Sequence, residues 1–201
     1  MELLLATRNA HKTRELAQLL GNEFKVVDLN SFSQIPAVEE TGGTFAENAI
    51  LKAISASEKI VDLVLADDSG LEVDALGGAP GIYSARYAGD SATDKENVAK
   101  LLKDLAQLGA EGVKRSARFR CVLALARSGK LLGTFEGVAE GVIVDVPRGS
   151  SGFGYDPIFV PNGFEQTFAE LPAKNQISHR AKAIGALRAA LRAGNTKNVP
   201  N

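Results

Sequence analysis

A single cysteine stands among the 201 residues of this chain, and that scarcity excludes disulfide scaffolds and cysteine-rich zinc sites. Cys121 lies in the apolar run Phe119-Arg120-Cys121-Val122-Leu123-Ala124-Leu125, where a buried structural thiol is expected rather than a nucleophile. An excess of one charge is also missing. Lys and Arg total 23 against 24 Asp and Glu, for a net charge of −1, so no global basic field recruits nucleic acid or an anionic membrane. Phosphate binding must then come from a few locally placed cations and backbone amides. Long hydrophobic runs are absent. Leu3-Leu4-Leu5 is stopped by Arg8 and lacks the basic region of a signal peptide, and no run approaches a membrane span. A cytoplasmic protein is expected. There is no G-x-x-x-x-G-K-[ST] loop, no G-x-G-x-x-G fingerprint, no H-E-x-x-H and no G-x-S-x-G elbow. Kinase, P-loop ATPase, dehydrogenase, zinc protease and serine hydrolase all lose support.

What is present is an ordinary globular mixture, 45% hydrophobic and 23% charged, sized for one domain. Residues 1–194 are read as that domain and 195–201 as a frayed polar tail. Glu2–Ala6 reads as a buried strand, followed by a helix over Ala10–Leu20 with Leu16, Leu19 and Leu20 on one face. Phe24–Asp28 is a second strand. Thr44-Phe45-Ala46-Glu47 has capping-box spacing at the head of a second helix. Val64–Ala66 reads as a strand ended by two aspartates, and Thr93-Asp94-Lys95-Glu96 as a second capping box. Arg118–Arg127, the turn Ser128-Gly129 and Leu131–Val138 suggest a hairpin. Gly141–Val144 reads as one more strand, and Ser178 as the cap of a last helix. Strands and helices alternate first and β structure follows, which implies an α/β fold with a mixed central sheet.

Five segments carry candidate chemistry. Thr7-Arg8-Asn9-Ala10-His11-Lys12 joins a strand to a helix start, where unpaired amides and the dipole suit phosphate; an ordinary Asn9 cap fits the same residues. Asp67-Asp68-Ser69-Gly70 places adjacent carboxylates that a hard cation would neutralise, although a plain turn uses the same residue types. Glu39-Glu40 precedes a helix, as dipole complements often do. Only a distant carboxylate such as Asp68 would make a metal ligand of one of them. Ser150-Ser151-Gly152-Phe153-Gly154-Tyr155-Asp156-Pro157 combines close-approach glycines with aromatics able to stack on a base. Lys174 and Ser178-His179-Arg180 offer donors to a phosphate or to a base's carbonyl edge.

In this order, these segments closely resemble the inosine/xanthosine triphosphate pyrophosphatase family. The run Ala66–Ala88, the stretch Ser151–Phe159 and Ser178-His179-Arg180 are its most specific motifs. Arg8 departs from many relatives, which carry glycine there. The resemblance implies an elongated α/β fold of two lobes with the nucleotide between them, a homodimer, and Mg²⁺-dependent cleavage of a purine triphosphate to monophosphate and pyrophosphate. It implies that Thr7, Arg8, Asn9, Ala10, His11 and Lys12 cradle phosphates, with Lys52 a weaker candidate. Glu39 and Asp68 would hold the metal, with Asp68 also taking the proton of the attacking water and Ser69 touching substrate. Phe153, Gly154, Tyr155 and Asp156 would border the base, and Lys174, His179 and Arg180 would complete the purine and phosphate contacts.

Overall fold

The computed structural model describes residues 2–36, 38–60, 62–109 and 115–194; the expected frayed tail lies outside them. Six strands form one mixed sheet in the order β2-β1-β3-β4-β5-β6: β1 (Glu2–Leu5), β2 (Lys25–Asp28), β3 (Leu63–Val73), β4 (Ser116–Arg127), β5 (Lys130–Ile143) and β6 (Phe159–Pro161). The helices are α1 (Ala10–Leu20), α2 (Phe45–Ser57), α3 (Asp94–Gln107), α4 (Lys174–Ile177) and α5 (His179–Arg192). The chain divides into two compact units, one of Met1–Asp68, Cys121–Gly137 and Arg180–Asn201, the other of Ser69–Arg120 and Val138–His179.

In the first unit β1 pairs in parallel with β2 and with the head of β3, Leu3 opposite Val26 and Leu63. Parallel strands covered on both faces read as continuous apolar runs, as Leu3-Leu4-Leu5 and Leu63-Val64-Leu65 do. Leu16 and Leu20 of α1 and Ile184 and Leu187 of α5 close over Leu3, Leu5, Leu63, Leu65 and Leu123. Cutting one such leucine to alanine costs about 2–5 kcal/mol. α2 starts where Thr44 accepts from the Glu47 amide. The Glu47 carboxylate answers to Gly43 rather than to Thr44, so the cap is offset by one residue from the reciprocal box.

In the second unit the box at α3 is complete, Thr93 and Glu96 each bonding the other's backbone. Val98, Leu101 and Leu105 pack on Leu71, Val73, Phe119, Phe159 and Phe168.

Two expectations need correction. The aspartates do not end a short strand; β3 runs on through Asp67, Asp68, Ser69 and Gly70 to Val73. Ion pairs with lysine and arginine meet those carboxylates inside the sheet, so packing overrides local turn preference. Leu131–Val138 and Gly141–Val144 are not two strands. They merge into the 14-residue β5, because Gly141 is needed within it: an added Cβ there would meet the Val160 carbonyl of the neighbouring strand. The turn before it is as read, with Ser128 at φ 50° and Gly129 at φ 73°, both positive as a two-residue hairpin turn favours.

Candidate active site

The loop from β1 into α1 is organised by its own side chains. Asn9 Oδ1 accepts from the amides of His11 at 2.9 Å and Lys12 at 3.2 Å, and Thr7 Oγ1 accepts from the Asn9 amide at 3.1 Å. Asn9 thus caps the helix, and two of its first-turn amides are already met. Arg8 donates to the carbonyls of Leu29 at 2.6 Å and Ile35 at 2.7 Å, pinning the segment after β2. Ala10 and His11 are exposed. Lys12 turns inward, its Nζ 2.6 Å from Asp67 Oδ1.

Asp67 and Asp68 sit mid-strand in β3, both buried. Asp67 Oδ2 accepts from Arg180 Nε at 2.9 Å and from the Cys121 thiol at 3.2 Å. Arg180, only 3% exposed, also reaches Glu15 at 2.9 Å. Burial weighs against its charge, but Asp67 and Glu15 outweigh it and hold its pKa above the ordinary arginine value. Burial, with Asp67 alongside, pushes the Cys121 thiol well up, so it is an inert structural thiol.

Asp68 meets a different cation. Lys52 Nζ, from α2, donates to Asp68 Oδ1 at 2.7 Å, Glu40 Oε1 at 2.9 Å and the Asp67 carbonyl at 2.9 Å. Burial is the largest influence on Lys52 and lowers its pKa, but Asp68 and Glu40 together reverse it and keep the amine charged. At Asp68 burial also comes first and prevails over Lys52 and Lys12, so its pKa stands above the usual carboxylate value. Asp68 Oδ2 has no hydrogen-bond partner among the described residues. Glu39 is exposed and contributes to none of these bonds, whereas its neighbour Glu40 does.

The second unit holds the other candidates. Asp156, 2% exposed, accepts from the Phe153 amide at 2.9 Å and from Lys174 Nζ at 2.6 Å. Lys174 Nζ lies 5.3 Å from the centre of the half-buried Phe153 ring, a cation–π distance. Gly154 donates to Asp94 at 2.7 Å. Tyr155 belongs to the core, its hydroxyl donating to the Ser84 carbonyl at 2.8 Å, which leaves Phe153 as the aromatic of this loop able to meet a base. His179 is buried and stacks on Phe119, with centroids 4.8 Å apart and planes at 10°. Ser69 is half-buried in β3. A cavity of about 600 Å³ lies against Val98, Leu102, Pro147, Phe153 and Pro157; Asp156, Lys174 and His179 do not line it.

The model of the Ham1 family matches residues 3–190. The chain belongs to the Ham1 family. It is 50% identical to the dITP/XTP pyrophosphatase of Bacillus licheniformis over 193 residues, 94% of this chain and 97% of that one. Another dITP/XTP pyrophosphatase, from Desulforamulus reducens, is 53% identical over 190 residues, 92% of each chain. A solved HAM1 protein from Coxiella burnetii superposes with a TM-score of 0.85 at 45% identity, covering 96% of this chain and 99% of its own.

Sequence reasoning assigned no role to Asp67, Glu15 or Glu40, although each is ion-paired with Lys12, Lys52 or Arg180. The only signal for Asp67 was its place beside Asp68. Glu15 gave none, since a glutamate on the first helix looks like any solvated one until Arg180 is seen against it.

Proposed function

We propose that Asp68 is the reactive carboxylate of a nucleotide pyrophosphatase, which cleaves inosine, deoxyinosine and xanthosine triphosphate to the monophosphate and pyrophosphate. The single observation behind this is the buried Asp68, one oxygen tied to Lys52 and the other without a hydrogen-bond partner among the described residues. The uncommitted oxygen is suited to take a proton from an attacking water, and the raised pKa moves it toward useful basicity. Lys52, charged and fixed by three acceptors, holds that carboxylate still. Lys12 offers its ammonium to the triphosphate.

The carboxylates of Asp68 and Glu39 supply the hard oxygen donors that magnesium takes. They would hold the ion, and Mg²⁺ is commonly held by one or two carboxylates plus the phosphates of its substrate. When bound, the ion supplies charge neutralisation at the phosphate oxygens.

Phe153 would stack on the base, with Lys174 and His179 meeting its 6-oxo edge; adenine would present an amine to these donors. Arg180, with its guanidinium between Asp67 and Glu15, would act on phosphate from behind Lys12. A homodimer belongs to the same reading through the family resemblance, and a cytoplasmic location through the single cysteine of the sequence. No helix among the described residues is long and apolar enough to cross a membrane.

The test is product release from ITP, XTP, dITP, GTP and ATP, with and without Mg²⁺. Pyrophosphate from the first three, lost on chelation, is expected. Orthophosphate and diphosphate as products would place the chain in another reaction class.

A further inference from the structure

Asp67 meets three cations of the first unit, Lys12, Arg180 and Lys52. Its Oδ1 holds Lys12 at 2.6 Å and its Oδ2 holds Arg180 at 2.9 Å. Its backbone carbonyl accepts from Lys52 at 2.9 Å. The carboxylate is almost wholly buried, with side-chain exposure of 1% against 16% for Lys12 and 3% for Arg180. Two cations drawn so close would repel each other without the anion between them. A free lysine side chain also carries substantial rotamer freedom, and any phosphate contact would have to freeze it. Cys121 adds a neutral donor at 3.2 Å, so the carboxylate's position is set by β4 as well as by its own strand.

We infer that Asp67 is a positioning residue for triphosphate binding: anchored by Arg180, it fixes Lys12 in one orientation while Asp68, next to it, does the chemistry. The inference rests on Lys12 being a phosphate contact. It differs from a purely structural role in acting on KM through Lys12.

The experiment is a double-mutant cycle of Lys12→Ala and Asp67→Asn with ITP as substrate and Mg²⁺ present, reading KM and kcat separately. Glu15→Gln serves as the control, since it strips the other partner of Arg180 without touching Lys12. Each single variant of the cycle should raise KM about tenfold, the scale of one charged hydrogen bond. The double variant should be no worse than Lys12→Ala alone, and Glu15→Gln should raise KM less than Asp67→Asn does. Should Asp67→Asn fail to fold, Asp67→Asn/Arg180→Met replaces it, because it removes the buried carboxylate together with its guanidinium partner. Its comparison is Glu15→Gln/Arg180→Met, which keeps Asp67 beneath Lys12 and should show the lower KM. Multiplying effects in the cycle, an unchanged or lowered KM in the Asp67 variants, or an equal rise with Glu15→Gln would overturn the positioning role alone. A Lys12→Ala variant with wild-type KM would overturn the phosphate reading of Lys12 and the inference with it.

Discussion

Gly152→Ala perturbs the loop over residues 150–157 at one carbon atom. Gly152 has φ +77°, and an added Cβ would overlap Asp156 Oδ2, the oxygen that accepts from the Phe153 amide and Lys174. Two costs add. A non-glycine residue in the left-handed region costs about 1–2 kcal/mol. Displacing the carboxylate weakens a buried charged hydrogen bond, which is worth about 1.5–3 kcal/mol. Gly154→Ala separates the two, because Gly154 has φ +61° with nothing within 4 Å of a new Cβ. It should pay the backbone cost only. The gap between the variants is therefore about 1.5–3 kcal/mol, or roughly 3–12 °C in Tm for a chain of this size. Urea unfolding with the slope checked for constancy, and thermal melts of both proteins, measure it directly. Gly152→Ala should also lose more kcat/KM toward ITP, since Phe153 and Lys174 lose their shared anchor. Equal losses in the two variants would refute the reasoning, and the Asp156 lock would have to be abandoned.

Asp68→Asn should fold normally and lose about 10²–10⁴-fold in kcat; near wild-type turnover in a pyrophosphate-release assay would remove it from the chemistry. Lys12→Ala should weaken ITP, XTP, GTP and ATP alike. His179→Ala should cost the 6-oxo substrates more, lowering discrimination against ATP by roughly 5- to 150-fold; an equal fall for all four would assign the histidine to phosphate or to the Phe119 stack. Asp104 bears on stability through pH. Burial is the largest influence and raises its pKa, but hydrogen bonds from Lys100 and Tyr87 prevail and hold it below the ordinary 3.8. Its contribution is thus complete above 3.8 and fades as pH falls through the lower folded value. Asp104→Asn should cost less than about 1 kcal/mol at neutral pH, because the pair is half open to solvent. The gap from wild type in urea titrations should close in acid.

Periodicity and capping signals made much of the fold readable in the sequence. The Asn9, Thr44 and Thr93 caps mark three helix starts, and Ser128-Gly129 marks the hairpin, because those features are local. β3 was misread because the reason Asp67 and Asp68 can stay inside a sheet lies far along the chain, at Lys12, Lys52 and Arg180. The short elements α4 and β6 gave no periodic signal. At the site, the motifs identified the segments, but not which of two neighbours faces which partner: Glu40 rather than Glu39 holds Lys52, and Tyr155 is spent in the core while Phe153 is not. Such distinctions are set by side-chain direction, which a list of residues does not carry.

The place of the two aspartates within β3 has a consequence for how this chain can change. Successive side chains of a strand leave opposite faces of the sheet. Neighbours in sequence are therefore kept apart in space, one committed to Arg180 and Lys12 and the other to Lys52. A single-residue insertion or deletion in the first half of β3 would exchange their faces. Asp68, the proposed proton acceptor, would then stand under the arginine, and Asp67 would face the lysine on α2. Substitutions can tune either acid separately, but a shift of frame in this strand trades their duties at a stroke, so length here should be far less variable than identity.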